Sequence, residues 1–87
     1  MSIFLEKTSV VRDYAYFTFR NTGSSMVEIN GYYIDRYQSV GVFLRIAPNA
    51  TGILGVQTHL VEKGKEYSVY VTTKESRKIE GPFKVQL

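Results

Sequence analysis

At 87 residues the chain has room for one domain, near the lower end of what a single hydrophobic core stabilises, so most of its strands must contribute to that core. Hydrophobic residues at 44% and aromatics at 14% exclude a disordered chain, and the lack of cysteine excludes a disulfide framework, as suits a reducing compartment or a fold stable without bridges. The net charge of +3 comes from Lys and Arg interspersed with Glu, not from a basic run, and the apolar start Met1 to Leu5 stops at Glu6-Lys7, far short of a membrane span of about 20 residues.

Taken in order, Ile3 to Val11 reads as a first strand, with Ile3 and Leu5 on one face and Phe4 on the other, and Arg12-Asp13 as its turn. Tyr14 to Arg20 alternates strictly, which places Ala15, Phe17 and Phe19 inward and Tyr14, Tyr16, Thr18 and Arg20 outward. Asn21-Thr22-Gly23-Ser24-Ser25 is expected to be a loop, because Asn and Gly tolerate left-handed backbone and serines compete for backbone hydrogen bonds. A third strand runs from Met26 to about Ile34, with Val27 and Ile29 in the core and a bulge at Gly31 that re-aims Tyr32 and Tyr33. Asp35 to Val40 is read as loop, and Val42 to Ile46 as a short apolar strand ended by the turn Ala47-Pro48-Asn49-Ala50-Thr51-Gly52. Ile53 to Val61 is the fifth strand, with Leu54, Val56, Thr58 and Leu60 inward.

Lys63-Gly64 then turns into the clearest strand of all, Gly64 to Lys74. Its β-branched and aromatic residues put Tyr67, Val69, Val71 and Thr73 on one face and Ser68, Tyr70 and Thr72 on the other. Lys78 to Leu87 closes the series with Ile79, Phe83, Val85 and Leu87 in one register. Pro82 lacks the N–H a ladder needs, so this strand belongs at a sheet edge or is bulged near Gly81-Pro82. Seven short strands without an amphipathic helix predict one two-sheet antiparallel sandwich over residues 1–87, with a five-stranded oligonucleotide-binding barrel as the rival topology.

The side-chain inventory predicts no enzyme. A nucleophile triad needs a base, and the single histidine, His59, stands alone in a strand pattern. With no Cys and two aspartates there is no ligand set for zinc or calcium, and the glycines stand singly at turns rather than in a phosphate loop. No catalytic residue, metal or cofactor is expected. Two features point to binding. Seven tyrosines include Tyr14 and Tyr16, which form an outward stripe with Arg20, and Tyr70, which faces outward on the central strand; such amphipathic rings suit protein interfaces. Lys63, Lys65, Lys74, Arg77, Lys78 and Lys84 cluster around the last two strands, a positive surface that could accompany stacking rings on single-stranded nucleic acid. Glu62, Glu66, Glu75 and Glu80 interrupt it. Asn49-Ala50-Thr51 is an N-glycosylation sequon on an expected surface turn, which makes Asn49 a candidate acceptor.

The Gly64-x-x-Tyr67 entry into a Val-rich strand resembles the tyrosine corner of immunoglobulin-like and fibronectin-type sandwiches, where a phenol bonds back to backbone across a loop. Over about two thirds of the chain, Phe17-Thr18-Phe19-Arg20-Asn21-Thr22-Gly23-Ser24-Ser25, Val27-Glu28-Ile29-Asn30-Gly31-Tyr32-Tyr33-Ile34 and Gly64-Lys65-Glu66-Tyr67-Ser68-Val69-Tyr70-Val71-Thr72-Thr73 resemble the globular β-sandwich of archaeal pilins, archaellins and their accessory proteins. That resemblance implies an all-β, immunoglobulin-like sandwich of about seven strands and a non-enzymatic structural role as an archaeal cell-surface filament component, filament-associated protein or virion protein. Filament-forming members carry an N-terminal apolar helix with a cleavable leader, which this sequence lacks. It implies either an ectodomain cut from that helix, at the cell surface or in a virion, or a small relative that joins protein partners by sheet surfaces or strand addition. Addition would use Ile3 to Val11 or Phe83 to Leu87. The alternative is a cytoplasmic binding module for single-stranded nucleic acid or protein.

Overall fold

The computed structural model describes residues 3–35, 37–57, 64–75 and 79–86, with the main chain alone for 37–41. Seven strands form two antiparallel sheets: β1 (Ile3–Val11), β2 (Tyr14–Asn21) and β5 (Thr51–Gln57) in the order β1-β2-β5, and β3 (Val27–Ile34), β4 (Tyr37–Ile46), β6 (Glu66–Thr73) and β7 (Glu80–Gln86) in the order β4-β3-β6-β7. Among the described residues no strand pairs across the two sheets, so they stack without closing into a barrel. Their facing sides meet in one core. Ala15, Phe17, Phe19, Leu54 and Val56 come from the first sheet, and Val27, Ile29, Ile34, Val69, Val71 and Val85 from the second.

Strict alternation produces this core. On β2 and β6 every second residue is buried, because successive side chains of a pleated strand point to opposite faces. β6 lies between β3 and β7 inside the four-stranded sheet, and its inward Tyr67, Val69, Val71 and Thr73 are all buried. β7 occupies the edge expected of a strand containing Pro82, and the cis Gly81–Pro82 peptide lies where its register against β6 shifts.

Bulges re-aim particular side chains. In β3 the register shifts between Ile29 and Gly31 against both neighbours: against β6 Asn30 is the extra residue, against β4 the extra residues lie between Val40 and Leu44, and Thr72 donates a hydrogen bond to the Asn30 side-chain oxygen at 2.6 Å. Burial parity then reverses: Ile29 faces inward before the bulge, and Tyr32 and Ile34 face inward after it. A second shift lies between Leu5 and Lys7 in β1, beyond which the pairing with β2 resumes.

Four expectations need correction. Asp35 to Val40 is not a loop: β4 begins at Tyr37, because Tyr37 to Val40 extend the ladder with Gly31 to Ile34 beyond the β3 bulge. The turn shrinks to the bend at Asp35, whose carboxylate accepts the Ser68 N–H at 3.0 Å. Asn21 is not a loop residue but the last residue of β2 and is fully buried. The fifth strand starts at Thr51, two residues earlier than expected, since Thr51 and Gly52 already pair with β2. Ile79 does not share an inward register with Phe83 and Val85; it is exposed, because the shift near Gly81–Pro82 breaks the alternation. The expectations for Thr58, His59, Leu60 and Leu87 lie outside the described residues.

The sheets converge at Gly52. A Cβ built there would lie 2.8 Å from Cγ1 of Ile46 and 3.2 Å from Cδ1 of Leu44, and Ile46 is fully buried, so it must shift within the core. Gly52→Ala is therefore expected to destabilise the protein by about 1–3 kcal/mol through overpacking, read as a lowered urea midpoint. An unchanged midpoint would mean that Ile46 repacks freely.

Candidate interaction surfaces

The outer face of the β1-β2-β5 sheet gathers side chains from all three strands. Register places Val11 beside Tyr14, Ser9 and Gly55 on either side of Tyr16, Lys7 and Ile53 on either side of Thr18, and Phe4 and Thr51 on either side of Arg20. The Tyr14 and Tyr16 rings stack with centroids 6.1 Å apart and planes at 27°. Tyr16 also lies across Gly55, where an added Cβ would meet its ring at 3.3 Å. Phe4 is 56% exposed, Val11 55%, Ile53 60% and Tyr14 42%, so this face leaves a band of apolar surface in water.

Arg20 is not free to meet a ligand. Its guanidinium forms an ion pair with the Glu6 carboxylate at 3.2 Å and donates to the Asn49 carbonyl at 2.8 Å, which ties the β1 bulge to the turn before β5. A half-exposed pair of this kind adds little stability. Its consequence is local: the cation beside the aromatic band is already balanced.

Tyr70 belongs elsewhere. It stands opposite Tyr33 on the outer face of the other sheet, and the two rings with Asp35 and Ile79 line an open, mainly apolar cavity of about 220 Å³. The four candidate interface residues thus divide between two sheets, with Tyr14, Tyr16 and Arg20 on one and Tyr70 on the other. Gly64 has φ of +85°, a turn conformation suited to glycine, and its carbonyl accepts from Gln86 at 3.3 Å. Tyr67 is buried at the start of β6, with the Lys65 ammonium 5.5 Å from its ring centroid.

Asn49 is exposed in the tight turn between β4 and β5 at φ of +62°. Its main chain is engaged on both sides, donating to the Asn21 carbonyl at 2.8 Å and accepting from Arg20, while Thr51 of the sequon is exposed at the first position of β5. Of the basic cluster, Lys65 and Lys74 bracket opposite ends of β6, and Lys84 lines a separate groove with Glu6 and Lys7. Lys63, Arg77 and Lys78 fall outside the described residues. Among the described residues no three of His, Cys, Asp and Glu gather as a metal site, and no helix is long and apolar enough to cross a membrane.

The residue that sequence reasoning missed is Asn21. Its amide nitrogen donates to the carbonyls of Ser25 at 2.7 Å and Ile46 at 2.9 Å, and its oxygen accepts the Gly23 N–H at 2.9 Å. The signal was present in the alternation, since Asn21 continues the inward series Ala15, Phe17, Phe19. Comparison of the chain with protein-family models, with curated proteins and with solved structures finds no match in any of the three.

Proposed function

We propose that this is a non-enzymatic assembly domain with an immunoglobulin-like sandwich, acting through protein–protein contacts as a component of an archaeal cell-surface filament, a filament-associated protein or a virion protein. The observation that supports this reading best is the apolar band of Phe4, Val11, Tyr14, Tyr16 and Ile53 on one outer sheet face. Such a band gains by leaving water, and tyrosines bury large area at low entropy cost. In a surface setting Asn49 would carry the glycan, at a turn whose backbone bonds leave its side chain exposed.

The paired substitution Val11→Ser with Tyr14→Ser tests the reading. Both residues are exposed, so the expected change in folding stability is within about 0.5 kcal/mol per site, whereas concentration-dependent assemblies larger than a dimer, seen by light scattering, should disappear. Such assemblies that survive, or a wild-type protein that never leaves the monomer, would sink it. The stacked Tyr14 and Tyr16 rings with Lys7 on the same face favour a second reading, an intracellular single-strand nucleic-acid or protein adaptor. Oligonucleotide binding that falls steeply with salt would support that alternative.

Ile3 is fully buried, Leu5 packs on the core and β1 pairs with β2, so a neighbour's strand added at β1 or β7 would join at the outer edge of a strand that keeps its own contacts.

A further inference from the structure

Four strands end the two sheets: β1 and β5 in one, β4 and β7 in the other. An edge strand offers a row of unpaired backbone groups, which sheet proteins blunt with charge, proline or bulges. Three of these edges are blunted. β1 carries Glu6, Lys7 and a register shift; β4 carries Arg45 and a register shift; β7 carries Pro82, Lys84 and a register shift. β5 differs. Thr51-Gly52-Ile53-Leu54-Gly55-Val56-Gln57 has no charge and no proline, and its register against β2 is unbroken from Thr51 to Gln57.

We propose that this edge is a self-association site, where β5 pairs antiparallel with β5 of a second copy about a two-fold axis and joins two three-stranded sheets into one of six strands. The strand is self-complementary in this arrangement. With Leu54 on the axis, Thr51 stands opposite Gln57, Gly52 opposite Val56 and Ile53 opposite Gly55, so inward residues meet inward ones and outward meet outward. Ile53, the most exposed apolar residue of the sheet's outer face, is carried beside Gly55 of the second copy, where the Tyr16 ring lying across that glycine offers it an apolar neighbour.

Charge also selects a second copy as the occupant. The chain carries +3, yet no charged side chain lies in the seam, and Arg20 beside Thr51 is held by Glu6, so two copies meet without repulsion there. A strongly acidic or basic strand would find no counter-charge. This inference rests on the assembly reading and specifies one of its contacts. A two-fold contact closes on itself, so assembly beyond a dimer must use another surface, such as the aromatic band.

The test is sedimentation equilibrium of the full chain from micromolar to millimolar concentration, for wild type, Ile53→Lys and Met26→Lys, with thermal melts to check folding. Ile53 and Met26 are both exposed apolar residues, but Met26 stands just before β3, outside the seam and outside the aromatic band. Wild type and Met26→Lys are expected to dimerise alike, while Ile53→Lys dimerises about a hundredfold more weakly because it sets two ammonium groups in the seam. Amide exchange should show β5 protection that rises with concentration in wild type and not in Ile53→Lys. A wild type that stays monomeric, an Ile53→Lys variant that dimerises normally, or equal loss in both variants would overturn the proposal. Dimers that persist in Ile53→Lys but vanish in Val11→Ser/Tyr14→Ser would overturn the edge contact and leave the assembly reading standing. A monomer that binds single-stranded oligonucleotide would remove both.

Discussion

Asn21→Asp is expected to lower folding stability by about 3 kcal/mol or more, although the side chain keeps its shape. The amide nitrogen donates to two carbonyl oxygens, of Ser25 and Ile46, in a fully buried position, and the main chain of Asn21 binds Asn49 and Ala50. Aspartate has no donor for either carbonyl, and in its ionised form it sets a charge against both. The loop after β2, the end of β4 and the turn before β5 all depend on that one amide. Denaturant unfolding at neutral pH checks this, and a midpoint within about 1 kcal/mol of wild type would refute the role. Asn21→Ala should fall between the two, because it leaves the carbonyls unpaired without adding a charge.

Phe19→Ala is expected to cost about 3–5 kcal/mol, the range for emptying an aromatic site in a packed core. A chain of this size has about 4–13 kcal/mol of stability to lose, so the substitution removes a large share of it and, at the low end of that range, all of it. The cause is geometric. Phe19 is fully buried on β2, and its ring meets Phe83 of β7 edge-to-face at 5.6 Å and 71°, a contact that spans the two sheets. Phe43→Ala makes the control, since Phe43 is exposed on β4, with the Arg45 guanidinium 5.0 Å from its ring centroid. Parallel urea titrations should separate the two variants by several-fold in lost stability. Equal losses would mean that the inter-sheet contact has little weight.

The faces of the strands were legible because alternation is a local property. Phe17 and Phe19 inward, Tyr14 and Tyr16 outward, and the burial of Tyr67, Val69 and Val71 all follow from a period of two. Bulges interrupt that period at a cost set by neighbouring strands, which is why the exposure of Ile79 was misread and the reversal at Tyr32 had no more than Gly31 to signal it. The start of β4 at Tyr37 was hidden for a related reason: Tyr-Gln-Ser-Val has no pattern of its own and is extended because β3 offers it a ladder. Sheet membership is a further step removed from sequence. Tyr70 and Tyr16 both read as outward tyrosines, and topology alone puts them on different sheets.

β5 has one more property. The pairings β1–β2, β3–β4 and β6–β7 join strands adjacent in the chain, whereas among the described residues β5 pairs only with β2, and β3 with β6 across a similar gap. Phe17 meets Leu54 and Tyr33 meets Tyr70 across more than a third of the sequence in each case. Hairpins form in about 1–10 μs, but domains governed by such distant pairings fold in milliseconds to seconds, because loop closure precedes the contacts that reward it. During that interval β5 is bare on both sides instead of one. The rate at which β2 captures it therefore sets how long each newly made chain can mispair with its neighbours.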